Sequence, residues 1–155
     1  MLIEKIYLQN PVTIDQDEAI DSALNKLSQK KLNGFLVTDK EGKLAGILAL
    51  QDIAGATVPK EFRDNPALAL AMPKKGFFRE RCRELRDKKV KDVMRKDFLK
   101  VNLNTNIMGV MADFLKNDLY IVPVVDNENK PIGLVTRNQV KKALIIGIER
   151  SYDLG

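Results

Sequence analysis

Apolar residues recur along this chain in two registers, and each register comes twice. Ile20, Ala23, Leu24 and Leu27 follow the i, i+3, i+4, i+7 spacing that lays one face of a helix on a core. Asp15 followed by Glu18 suggests a capping box at the start of that helix, and Gly34 marks its end. Val12-Thr13-Ile14 before it, and Phe35 to Thr38 and Leu44 to Leu48 after it, read as short apolar strands. The last two flank Asp39-Lys40-Glu41-Gly42-Lys43, a polar turn with glycine where a positive φ is cheap. A second helix is expected from Gln51 to Ala56, stopped near Pro59.

The same order returns in the second half. Val101-Asn102-Leu103 reads as a strand and Asn104 as a helix N-cap, followed by the stripe Ile107, Val110, Met111, Phe114 and Leu115. Strands are expected at Leu119 to Val125 and Ile132 to Thr136, and a last helix from about Arg137 to Arg150. The two copies align without a gap at an offset of 87 positions (133 − 46), Asp39 falling on Asp126 and Gly46 on Gly133. A duplicated unit of this kind implies a pseudo-symmetric pair with a cleft between its halves. The reading is therefore an α/β chain of two β-α-β-β-α units, 1–57 and 90–150, joined by a basic connector, 58–89.

Composition narrows the chemistry. There is no histidine, which removes His-based triads, His general bases and His-containing zinc sites; no metal site is expected. The single Cys82 forbids an internal disulfide and fits a reducing compartment. No apolar run approaches the roughly 18 residues of a membrane span, and Glu4 and Lys5 break the start too early for a signal peptide. These features point to a soluble cytoplasmic protein with no membrane partner.

The net charge of +5 is concentrated in the connector region, where Lys60 to Lys100 holds 14 Lys and Arg against 7 Asp and Glu. That run is either a solvated face or an electrostatic footprint for phosphates. Phe77, Phe78, Cys82 and Leu85 suit a short amphipathic helix among Arg79, Arg81, Arg83 and Arg86, so the connector is expected to pack on the repeats. With only Phe77 and Phe78 interleaved among the arginines, nucleic acid is the disfavoured partner. A nucleotide's phosphates are the alternative target for Arg79 and Arg81.

Ile121-Val122-Pro123-Val124-Val125-Asp126, then Gly133-Leu134-Val135-Thr136 leading into a helix, resembles the signature of the CBS domain, named after cystathionine beta-synthase. Lys91-Asp92-Val93-Met94 resembles the short segment that often opens such a domain. The resemblance implies a tandem pair, a Bateman module, packed about a pseudo-twofold axis with clefts that commonly take adenosine-containing ligands. In that family Gly, two apolar residues, Thr or Ser, two variable residues and Asp meet ribose and phosphate. Each copy here keeps half of that pattern: Gly46 to Asp52 retains Asp52 but has Ala49 at the hydroxyl position, whereas Gly133 to Gln139 retains Thr136 but has Gln139 for the Asp.

The chemistry is intelligible on its own terms, because a carboxylate accepts from both ribose hydroxyls and a hydroxyl at a helix start suits a phosphate oxygen. Asp52 and Thr136 have helix capping as their alternative role, and Arg137 is either a solvated helix residue or a phosphate clamp. By resemblance the walls around an adenine come from Thr13, Ile14, Phe35 and Leu36 in one copy and Val101, Leu103, Val122 and Pro123 in the other. Core packing is the alternative for the apolar members.

The expectation is a non-catalytic sensor of AMP, ADP, ATP, S-adenosylmethionine or a cyclic dinucleotide, with no catalytic cofactor, acting in trans on an unknown protein partner. The Asp52 copy should be the better site. A homodimer is expected from the apolar residues Ala143, Leu144, Ile145, Ile146 and Ile148. The alternatives are a ligand-free dimerisation scaffold and a nucleic-acid accessory factor.

Overall fold

Apolar hairpins stand at the centre of both repeats. In the computed structural model, which describes residues 1–72, 74–117 and 120–149, two short strands come first: β1 (Leu8–Gln9) and β2 (Thr13–Asp15). Helix α1 (Ile20–Lys30) leads to the hairpin β3 (Gly34–Thr38) and β4 (Leu44–Ala49), then to α2 (Leu50–Thr57). The connector holds α3 (Lys60–Asp64), α4 (Pro66–Leu70) and α5 (Phe77–Arg86). After α6 (Val90–Val93) come α7 (Ile107–Lys116), the hairpin β5 (Val122–Val125) and β6 (Pro131–Val135), and α8 (Arg137–Glu149). The expected strand start at Leu119 and helix end at Arg150 lie outside the described residues.

The two hairpins are the same object. Phe35 pairs with Leu48 and Val37 with Gly46, as Val122 pairs with Val135 and Val124 with Gly133, and each ladder slips at the following residue. Asp39 and Asp126 close the turns identically, each Oδ1 accepting from the backbone N–H groups two and four residues on. Gly42 and Asn129 take the left-handed position in these turns, with φ of 79° and 62°. Asp39 thus matches Asp126 and Gly46 matches Gly133 in like elements.

What closes each sheet comes from elsewhere in the chain. β1 runs antiparallel to β6, with Leu8 opposite Leu134, and Arg95 bridges antiparallel to Ile47 in β4. These are the same pairing at the 87 offset. The first ten residues therefore belong to the core of the second repeat, where Ile3 and Ile6 are buried with Val101, Val110, Val124 and Val140. The segment before the second repeat likewise buries Leu85 and Val90 with Ile14, Leu27, Phe35 and Leu48 of the first. A third cluster, with Leu36, Leu44, Ile47, Ala49 and Val125, joins the two sheets.

The crossings explain one glycine in each copy. A Cβ at Gly46 would stand 2.7 Å from the Arg95 carbonyl oxygen, and one at Gly133 2.6 Å from that of Leu8 and closer still to the Tyr7 ring. A side chain at either place displaces backbone, not merely a flexible neighbour.

Several expectations need correction. The helices start later than Asp15 and Asn104 suggested, at Ile20 and Ile107. Asp15 instead turns its carboxylate onto the Asp17 N–H, and the Ile20 N–H donates to the Lys88 carbonyl of the crossing segment. Asn106, not Asn104, caps α7 by accepting from the Met108 N–H. Gly34 opens β3 rather than ending α1, which closes at left-handed Lys31. Val101 forms a single parallel bridge to Val124 and no strand.

Leu24 and Leu115 point outward, Leu115 at 85% exposure, so each apolar stripe is narrower than its spacing suggested. On α8, Leu144, Ile145 and Ile148 are exposed, but Ala143 is buried and Ile146 packs on the core. The connector buries apolar surface on the first repeat through α5, where Leu85 is buried, whereas every residue from Arg63 to Ala71 is exposed.

Candidate functional site

Helix α2 starts directly at the end of β4, so its first turn faces the crossing segment. Asp52 in that turn has two engagements. Its Oδ2 accepts from the Ala49 N–H at 2.9 Å, closing the helix start, and its Oδ1 accepts from Arg95 Nε at 2.7 Å. The Asp52 side chain is 13% exposed and that of Arg95 32%, so the pair is partly shielded from water. Asp52 is thus the third helical residue reaching back to the cap position, half of the capping-box arrangement.

Arg95 in turn edges a cleft of about 330 Å³, within the range of small-molecule sites. The cleft lies where the crossing segment leaves the first sheet and enters the second repeat. Asp97, Phe98 and Leu99 form one side, the end of α7 with Asp113, Lys116 and Asn117 another, and Ile121 lines the rest. Phe98 and Ile121 also pack on the cluster joining the sheets, which fixes the floor of the cleft to both repeats. Asp113 Oδ1 accepts from Asn117 Nδ2 at 2.7 Å, so that carboxylate is oriented. The surface offers apolar faces, carboxylate acceptors and cations together.

The corresponding corner of the second repeat is built differently. The Gln139 side-chain oxygen accepts from the Thr136 N–H at 2.9 Å and from Thr136 Oγ1 at 2.5 Å, so glutamine and threonine satisfy each other. Arg137 lies flat over the Tyr120 ring, 3.5 Å from its centroid, and Tyr120 packs on Phe114. Thr136, Val122, Tyr120 and Phe114 surround a void of only about 10 Å³, room for about one water.

The other sequence-derived candidates are dispersed. Ile14, Phe35, Leu36 and Val101 are closed inside the three cores. Thr13 is exposed on β2 and pairs with Leu36. Leu103 packs against the second core, and Pro123 is buried in β5 opposite Leu134. Arg81 donates to the carbonyls of Thr57 and Ala56 at the end of α2, and Arg63 donates to those of Gly55 and Val58. These two connector arginines cap a helix, which commits the Nε and one Nη of each to backbone carbonyls.

Arg95, Asp97, Phe98, Leu99, Asp113 and Lys116 were missed from sequence. No local pattern marks them, and Arg95 meets Asp52 from 43 residues away. The usable signal was the offset, since Gly46 demands a close neighbour that only a crossing segment supplies. Among the described residues, no group of three or more His, Cys, Asp or Glu could hold a metal ion, and no helix is long and apolar enough to cross a membrane.

The chain is 28% identical to the uncharacterized protein MJ1426 of Methanocaldococcus jannaschii, over 94% of this chain and 92% of that one. It spans only 23% and 36% of the length of two further curated relatives. Among solved structures it resembles the CBS-pair protein CBSX2 of Arabidopsis thaliana (TM-score 0.72, 24% identity, 96% of both chains), which has also been solved in complex with AMP. It also resembles the CBS domain pair of protein MJ0100 in complex with 5′-methylthioadenosine and S-adenosyl-L-methionine (TM-score 0.67, 22% identity, 93% of this chain and 95% of that one). At these identities the likeness establishes the fold. The CBS-domain family pattern matches residues 3–58 and 90–146, both repeats with their hairpins, and the chain belongs to the CBS-domain family.

Proposed function

We propose that the chain is a non-catalytic regulatory module that holds an adenosine-containing ligand in the cleft beside Arg95 and acts in trans on a partner. One observation carries the reading: a cleft of about 330 Å³ whose lining residues Phe98 and Ile121 pack on the cluster joining the two sheets, so that an occupant leans on the seam between the repeats. Phe98, Leu99 and Ile121 give a base an apolar surface, Asp97 and Asp113 give ribose hydroxyls acceptors, and Arg95 and Lys116 are cations within reach of a phosphate. The AMP, methylthioadenosine and S-adenosylmethionine complexes of CBSX2 and of MJ0100 support this choice of ligand class.

Titration calorimetry with AMP tests it. Saturable binding at one site per chain is expected, weakened about tenfold by Phe98→Ala, which removes a ring's worth of apolar contact, ~1.4 kcal/mol. A scaffold with an empty cleft gives no heat at millimolar AMP, and that result would return the protein to the ligand-free reading.

A further inference from the structure

We infer that this cleft selects adenosine derivatives of low negative charge and turns away triphosphates. The inference rests on the reading of the cleft as an adenosine site and specifies which members of that class it takes.

The charges at the cleft decide the matter. Among the described residues that line it, Asp97 and Asp113 are the carboxylates and Arg95 and Lys116 the cations. Arg95 is already matched by Asp52, its Nε lying 2.7 Å from Oδ1. Three carboxylates therefore stand against two cations, and Lys116 is the cation that Asp52 does not neutralise. A single phosphate could draw on Lys116 or share Arg95, whereas each further phosphate adds charge beside Asp97 and Asp113. Two connector cations are turned away from this balance: Arg81 and Arg63 donate to the carbonyls ending α2, at the far end of that helix from Asp52. A neutral or cationic tail on the ribose meets no such opposition. In a cleft with low-dielectric walls such as Phe98 and Ile121, like-charge juxtaposition of this kind sets specificity more than affinity.

The test is calorimetric titration of the full chain with 5′-methylthioadenosine, AMP and ATP in magnesium-free buffer at low and high salt. ATP is expected to bind at least tenfold more weakly than methylthioadenosine. Its affinity should rise as salt increases, because screening relieves repulsion. Changing Asp97→Asn and Asp113→Asn together should narrow the gap between the two ligands at least threefold.

ATP binding as tightly as AMP, or an ATP affinity that falls with salt, would overturn the charge inference while leaving the adenosine reading intact. Binding of none of the three at millimolar concentration would overturn the adenosine reading and this inference with it. The salt series uses the unaltered chain, so the outcome does not depend on how well the double variant folds.

Discussion

The corner at Asp52 and the corner at Gln139 occupy equivalent places in a twofold frame, yet only one of them holds an ion pair. In both, the third residue of the helix reaches back to the N–H at the cap position, through Asp52 onto Ala49 and through Gln139 onto Thr136. That bond is indifferent to whether the acceptor is a carboxylate or an amide. What differs is the remaining valence. Asp52 spends its other oxygen on Arg95, while Gln139 takes the Thr136 hydroxyl, and the position equivalent to Arg95 is held by Leu8. The contrast extends around the cleft: Asp97, Asp113 and Lys116 correspond to Asn10, Lys26 and Gln29 at the 87 offset. Duplication supplies the backbone twice, and side-chain divergence at a few positions decides which copy carries the ion pair and the charged cleft.

The frame itself should prove equally demanding in both copies. Gly46→Ala and Gly133→Ala each push a methyl into the carbonyl of a crossing strand, so each is expected to destabilise the fold by at least ~2 kcal/mol. Urea denaturation of the two variants measures it. A large loss at one position and none at the other would break the equivalence of the crossings.

Transplanting the charged corner gives a smaller effect and sharpens the contrast. Leu8→Arg with Gln139→Asp rebuilds the Arg95 and Asp52 pair at the second site. The Leu8 side of that corner is open, at 49% exposure, so a coupling of only ~0.5–1 kcal/mol is expected in a double-mutant cycle. In the native corner, Asp52→Asn keeps an acceptor for the Ala49 N–H but leaves Arg95 without its counter-charge, and a loss of ~1–2 kcal/mol is expected. No loss for Asp52→Asn beside a clear loss for Gln139→Ala would mean that capping accounts for everything and the ion pair for nothing.

How much of this could be read from the chain alone follows the range of the interactions. The hairpins were legible because turn and ladder are local: Asp39 and Asp126 announce the turn, and the apolar runs on either side of it mark the strands. Helix starts were misread because Asp15 and Asn104 look like caps by residue type. The true starts are set by the Ile20 and Ile107 N–H groups donating to Lys88 and Met1 carbonyls, partners far away in sequence. The exchange of end segments between repeats left only an indirect trace, in the glycines at Gly46 and Gly133. Asp52 was found by pattern, but its role depended on Arg95, and the apolar wall residues Phe35 and Leu36 proved to be core because a strand central to a sheet is closed on both faces.

The same one-sided addition of charge recurs away from the cleft, and it yields the smallest prediction. Asp17, in the turn before α1, lies 3.0 Å from Lys91 and 3.8 Å from Lys89, whereas the equivalent residues of the other copy are Asn104, Glu4 and Leu2, which form no such pair. The hydrogen bond from Lys91, with the nearby lysine charges, lowers the Asp17 pKa below the ordinary carboxylate value, and the Asp17 contact raises that of Lys91. A carboxylate whose folded pKa is depressed contributes stability above its unfolded value, near pH 4, and loses it as pH falls through the folded one. The raised Lys91 contributes below its unfolded value, near pH 10.4, and loses that as pH rises through the folded one. Asp17 is half-buried and Lys91 exposed, so water reaches the pair and the effect should be small and should shrink with salt. Denaturation midpoints followed from pH 6 to pH 3 should therefore fall slightly less for Asp17→Asn than for the unaltered chain, while Asn104→Asp, facing Glu4, should gain no stability at neutral pH. A gain in that second variant would mean that the two turns are electrostatically interchangeable, and the asymmetry between the copies would then be confined to the cleft.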